Sequence, residues 1–322
     1  MSRFAKYAWA LLALNLLVIL WGAVVRATGA GAGCGSHWPL CNGVVVPIEP
    51  AIETMIEFFH RVTSALLGLL TIGLVVWAGR RYGRGHWVFR AAIAALVLVI
   101  IEGLLGAALV RFELVAGNTS VVRGFVAALH LVNTLLLTAA YTLTAWWASG
   151  GETPQRPRGG LALWLGLGLG LTMLLGATGA VTALGATLFP AGTMVEGLRQ
   201  DFDPNSPLIL QIRVIHPTIS ILVTLYLWWL ARRLMRRFDS PPVRRFGRGV
   251  MAMLAVQLVV GVVNLALHAP VWMQLVHLLL ADLLWIALVL LSVAALAAQR
   301  PVVALNEAVR SRREPQLRSH PR

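Results

Sequence analysis

Eight long apolar runs, at approximately 8–25, 55–78, 91–110, 124–147, 161–181, 209–230, 250–267 and 274–297, dominate the sequence. A helix that crosses the hydrocarbon core of a bilayer needs roughly 20 mostly apolar residues, and each run meets or approaches that length. In lipid every backbone N–H and C=O has to be paired inside the protein, so such runs fold as helices. The expected fold class is an all-α integral membrane protein with eight transmembrane helices. Composition agrees. Only 12% of the residues are charged and the mean hydropathy is +0.77, whereas soluble domains carry about 25% charged residues. The stretches between runs are too short for a further globular domain. The first run, after Arg3 and Lys6, is longer than the apolar part of a usual signal peptide and has no clear small-residue cleavage site. It reads as a retained helix.

The net charge of +14 would suit a nucleic-acid binder. Its distribution argues otherwise. Of the 27 Lys and Arg residues, 21 lie in the amino terminus, the even-numbered connections and the carboxyl tail. That bias is the positive-inside signal. It predicts both termini in the cytoplasm of a multi-pass plasma-membrane protein, a lipid bilayer as partner and no nucleic acid. The tail after Arg300 is polar and basic, and is expected to be disordered.

The two halves of the chain echo each other. "ATGA" stands at 27–30 and again at 177–180, near the ends of the first and fifth runs. His60 precedes an apolar stretch ending in Arg80-Arg81, and His216 precedes one ending in Arg232-Arg233. "EGLLGAAL" at 102–109 corresponds in order to "QLVVGVVNL" at 257–265, and "ALHL" at 128–131 to "LVHL" at 275–278. Four helices return the chain to its starting side, so the repeats are expected to be parallel, related by an axis along the membrane normal. This divides the chain into a half at 1–150, a half at 151–300 and a basic tail at 301–322.

Four histidines fall inside the even-numbered runs: His60, His130, His216 and His277. All lie a turn or two below the outer surface. An ionisable ring in lipid is costly and marks function, and neutral imidazole is a common ligand of haem iron. Interhelical hydrogen bonding would explain one such histidine. Four in duplicated register favour haem ligation, with two pairs for two haems. No C-x-x-C-H occurs, so covalent attachment is excluded.

Glu57 lies one turn before His60, near the outer interface where water is expected to reach it. It reads equally as an acid–base group or as an interfacial carboxylate that ends a helix. Glu102 and Asp282 lie deeper, and interhelical pairing or hydrogen bonding is the favoured account of both. Cys34 and Cys41 are the two cysteines, separated by Gly-Ser-His-Trp-Pro-Leu on the expected outer face. An oxidising compartment predicts a disulfide, with thiol–disulfide exchange as the functional alternative. The glycines of the fifth run (Gly166, Gly168, Gly170, Gly176, Gly179) suit close helix packing.

With these residues in place, the chain resembles the heme A synthase family. The resemblance rests on the Cys34–Cys41 pair, Glu57-Phe58-Phe59-His60-Arg61, His130, "TLFPAG" at 187–192, Ile215-His216-Pro217 and Val276-His277. It covers nearly the whole chain apart from the tail. It implies haem b held by His216 and His277 as a cofactor, and haem O received as substrate at His60 and His130. The implied reaction oxidises the C8 methyl of haem O to a formyl group, giving haem A for terminal oxidases. Glu57 and the cysteine pair match positions regarded as functional in the family. The implied partners are a haem O synthase and a quinol or other membrane electron donor. Some relatives carry a second cysteine pair in the second-half loop, and residues 182–208 here contain none. The residues by themselves also admit a di-haem quinol-oxidising cytochrome b, or a membrane thiol-disulfide oxidase centred on Cys34 and Cys41.

Overall fold

The computed structural model describes residues 1–299, so the tail expected at 301–322 lies outside the described residues. Eight of its helical segments are long and apolar enough to cross a membrane. They are α1 (Arg3–Ala27), α2 (Ile52–Tyr82), α3 (Trp87–Arg111), α4 (Val121–Ala148), α5 (Leu161–Leu188), the joined pair α7 (Leu208–Gln211) and α8 (Ile215–Arg237), α9 (Pro241–Ala266) and α10 (Val271–Ala297). Between α5 and α7 lies the short α6 (Met194–Phe202). Among the described residues the fold is all-helical, apart from one isolated bridge between Cys41 and Val44.

Each spanning helix overruns its apolar run. Arg80 and Arg81 lie in the last turn of α2, Arg236 and Arg237 in the last turn of α8, and α9 begins at Pro241, before Arg244 and Arg245. Long cationic side chains keep their stems on the apolar surface while their heads reach water, so helices continue past the hydrocarbon edge. Local chemistry sets several ends. The Ser2 and Ser120 hydroxyls accept from the backbone N–H groups of Ala5 and Arg123. Gly83, with φ of 79°, ends α2 in a conformation that suits glycine.

Two departures from the expected pattern bear on the site. The stretch 182–208 is not simply a loop. α5 runs on to Leu188, and α6 follows with Thr193 as its cap, accepting from the Glu196 N–H. The sixth span is also interrupted between Gln211 and Ile215. Pro217 lies in the first turn of α8, where its missing N–H costs nothing. The turn at 212–214 leads into α8 just before His216.

α1 packs on α2 and α4, α2 on α3, and α3 on α4. α5 packs on α8 and α10, α8 on α9, and α9 on α10. α4 and α1 meet α5 and α10, and α10 is the most enclosed span. Buried polar groups cross these seams in pairs, as a membrane interior requires. Asn15 Nδ2 donates to Thr138 Oγ1 at 3.0 Å, Tyr7 Oη to the Leu70 carbonyl at 2.8 Å, and Trp285 Nε1 to the Leu135 carbonyl at 2.6 Å. Around these bonds lie two apolar clusters. One centres on Phe4, Leu11, Leu74 and Tyr141, the other on Leu161, Leu227, Leu230 and Trp285.

Candidate functional site

Each of the four membrane histidines faces a glycine on the preceding odd-numbered spanning helix. A Cβ at Gly22 of α1 would stand 3.0 Å from His60 Cε1, and one at Gly179 of α5 would stand 3.0 Å from His216 Cε1. At Gly261 of α9 it would stand 3.2 Å from His277 Cε1, and at Gly106 of α3 it would stand 4.0 Å from His130 Cε1. Three of the four rings thus occupy notches that a methyl group would narrow. The arrangement recurs in both halves of the sequence, with each histidine about two helical turns inside its span.

The His216 and His277 rings stand 6.4 Å apart between centroids and nearly perpendicular, at 84°. His216 Nδ1 lies 3.1 Å from the Leu175 carbonyl and 3.3 Å from Thr178 Oγ1. A bond from Nδ1–H to that carbonyl fixes the tautomer and leaves the Nε2 lone pair for another partner, the usual support of a metal-binding imidazole. His277 is steadied by Gln257 of α9, whose Nε2 lies 3.3 Å from the ring Nε2 and donates to the His277 carbonyl at 3.1 Å. On the other side stand His60, on α2, and His130, on α4. His130 Nε2 is 3.7 Å from Glu102 Oε1. Glu102 also accepts from Asn133 Nδ2 at 2.5 Å and from the Thr134 hydroxyl. The interhelical bonding expected of Glu102 is present.

Buried Nδ1 atoms of His60, His130 and His277 have no hydrogen-bond partner among the described residues. Leaving such a nitrogen unpaired in the membrane costs about 1–3 kcal/mol each. The facing rings of His216 and His277, the unpaired ring nitrogens and the notched backbones together fit a group that accepts nitrogen ligands, and an iron porphyrin is such a group. Asp282 departs from expectation. Its carboxyl is buried, and neither oxygen has a partner among the described residues, because no donor on the surrounding helices reaches it.

The disulfide end of the molecule packs on the helix that bears His60. Cys34 and Cys41 are joined, and the loop between them lies on α2. Glu57 is 3% exposed, so the expectation that water reaches it does not hold. Both of its oxygens are engaged. Oε2 accepts from the Cys34 N–H at 2.9 Å, and Oε1 accepts from Arg61 Nε at 3.0 Å and Nη2 at 2.5 Å. Arg61 Nη1 donates to the carbonyls of His37 and Leu40, at 2.7 and 2.8 Å, both inside the disulfide loop. Thr54 Oγ1 donates to the Gly33 carbonyl at 2.7 Å. Glu57 and Arg61 thus tie the disulfide loop to the helix that bears His60. The role of Arg61 and the notch glycines escaped sequence reasoning. Their signal was the four-residue spacing from Glu57 and the Gly106–Gly261 correspondence within the repeat.

A family model described as cytochrome oxidase assembly protein (COX15-CtaA) matches residues 5–289. The chain belongs to the heme A synthase family. It is 30% identical over 313 residues to a heme A synthase of Symbiobacterium thermophilum, covering 91% of this chain and 96% of that protein. A heme A synthase of an Exiguobacterium species is 31% identical over 242 residues, 74% of each chain. A protein of Thermus thermophilus named protoheme IX farnesyltransferase is 47% identical over 308 residues, covering 95% of this chain and 50% of that protein. The chain therefore spans about half the length of that Thermus relative.

Proposed function

We propose that this membrane enzyme of haem A biosynthesis oxidises the C8 methyl of haem O to a formyl group. Haem b would be held by His216 and His277 in the half at 151–300, and haem O would bind at His60 and His130 in the half at 1–150. The observation that carries the reading is the fourfold register of histidine against glycine, with buried ring nitrogens left unpaired. Bound haem would supply the redox chemistry of the reaction.

The protein's own residues bind, orient and exclude. The Leu175 carbonyl and Gln257 would set the rings of His216 and His277, so that the cofactor stays while substrate and product exchange. Glu102, Asn133 and Thr134 would set His130. The Cys34–Cys41 loop, pinned by Arg61, would close the outer end of the substrate site against water. Converting a methyl to a formyl group removes four electrons and adds one oxygen, through an alcohol and, after a second hydroxylation, a geminal diol, which loses water. We assign Glu57 to this half as the group that receives protons from the substrate side, with Arg61 and the Cys34 N–H steadying its charge. Each of the two hydroxylations would need an oxidant such as dioxygen, with two electrons supplied by a membrane donor such as a quinol. With the arginine-rich ends of the helices inside, both termini would be cytoplasmic and the disulfide would face the oxidising side.

The name of the Thermus relative offers a second reading, farnesyl transfer to protoheme IX. That protein is twice the matched length, and a heme A synthase aligns with this chain over 96% of its own length. The same haem pathway would then join the two activities, with a haem O synthase as supplier of this chain's substrate. Co-expression with a haem O source, followed by extraction of the porphyrins, tests the proposal. Haem A is the expected product. Haem O formed from protoheme by this chain alone would favour the farnesyltransferase, and haem b with neither product would favour an electron carrier.

A further inference from the structure

Arg26, in the last turn of α1, sends its guanidinium away from the helices that surround His60. Nη1 donates to the Ala183 carbonyl at 2.9 Å and to Thr187 Oγ1 at 2.7 Å, both on α5, and Nη2 donates to Gln274 Oε1 on α10 at 2.7 Å. All of these acceptors are neutral. Arg26 makes no ion pair among the described residues. Arg123, a second cation at the start of α4, donates to the carbonyls of Ala116 and Asn118. A guanidinium keeps its charge at any physiological pH. Holding it among helices without an anion is costly. The bonds it makes leave Nε–H and the second Nη2 proton for another acceptor.

Its placement is specific. On α1, Arg26 follows Gly22, the notch for His60, by one turn. On α5, Ala183 follows Gly179, the notch for His216, by one turn. On α10, Gln274 precedes His277 by one turn. Given the direction of each helix, every step runs toward the disulfide end. Arg26 therefore stands one turn beyond the pair His216 and His277, anchored to two helices that line that pair.

We propose that Arg26 binds a carboxylate of the porphyrin held by His216 and His277, so that a residue of the first half completes the site of the second. The proposal rests on the haem reading above. Haem b carries two propionate side chains at one edge, and Arg–carboxylate bonds are charge-assisted and directional. A porphyrin whose carboxylates point to the disulfide end would supply the anion that this cation lacks.

The alternative is a clamp that merely joins α1 to α5 and α10. The test is titration of the full-length protein, produced without haem, with haem b and with haem b dimethyl ester, which lacks the charge. The unmodified chain is expected to bind the free acid at least about tenfold more tightly than the ester. Arg26→Gln is expected to abolish that preference by weakening haem b while leaving the ester unchanged. Equal weakening of both ligands, or of neither, would overturn the proposal. Should Arg26→Gln not fold, the unmodified chain decides alone, since equal affinity for acid and ester also overturns it. If His216→Ala and His277→Ala bind haem b as tightly as the unmodified protein, the haem reading itself fails, and this proposal with it.

Discussion

Glu57 is where reading residues in order and reading them in space diverge most. Spacing from His60 suggests a water-accessible carboxylate, but the loop that buries it comes from residues 33–41, which no local pattern ties to α2. The engagement of both oxygens makes a sharper prediction than spacing does. Glu57→Gln keeps the shape but removes the charge that pairs with Arg61, and a charge-assisted bond of this kind is worth about 1.5–3 kcal/mol. Conversion of haem O is expected to fall at least about tenfold, with haem b content unchanged and the Cys34–Cys41 bond reduced faster by an added thiol. Rates of conversion and reduction equal to those of the unmodified protein would make Glu57 a bystander. The histidines themselves are legible in the sequence, because an ionisable ring inside an apolar run has few structural excuses. Arg26 and Arg61 are not, since an arginine near a span end looks like any topology signal until its acceptors are seen.

At the level of elements, the eight spans can be read from hydropathy, but their ends cannot. Helices overrun the apolar runs because arginine stems tolerate the interface, and α6 escapes notice because a short helix of mixed polarity has no hydropathy signature. The pairing of odd and even helices is partly legible. The repeat aligns Gly106 with Gly261, yet only packing shows that each faces a histidine. The distances rank the glycines. Alanine at Gly22, Gly179 or Gly261 would crowd an imidazole at 3.0–3.2 Å, whereas alanine at Gly106 would meet His130 at an ordinary 4.0 Å. Overpacking of this kind costs about 1–3 kcal/mol. Gly179→Ala and Gly261→Ala are therefore expected to lower haem b content and shift its absorption bands, and Gly22→Ala to slow haem O conversion. Gly106→Ala is expected to behave like the unmodified protein. Absorption spectra of the purified variants check the series, and a Gly106→Ala defect as large as that of Gly179→Ala would contradict the role of the notches.

For the whole molecule, the proposed function has one chain do two tasks with one motif. Both halves present histidine against glycine, but their surroundings differ. Glu102, Asn133 and Thr134 surround His130, whereas the amide of Gln257 attends His277. The disulfide loop, tied down by Glu57 and Arg61, lies on α2, the helix that bears His60. Such a division suits a resident cofactor beside an exchanging substrate. The most direct test measures the haem b and haem A content of four single variants expressed with a haem O source. His216→Ala and His277→Ala are expected to lose most of the haem b. His60→Ala and His130→Ala are expected to keep haem b and to yield no haem A. Equal loss of haem b from all four would contradict the division between the halves.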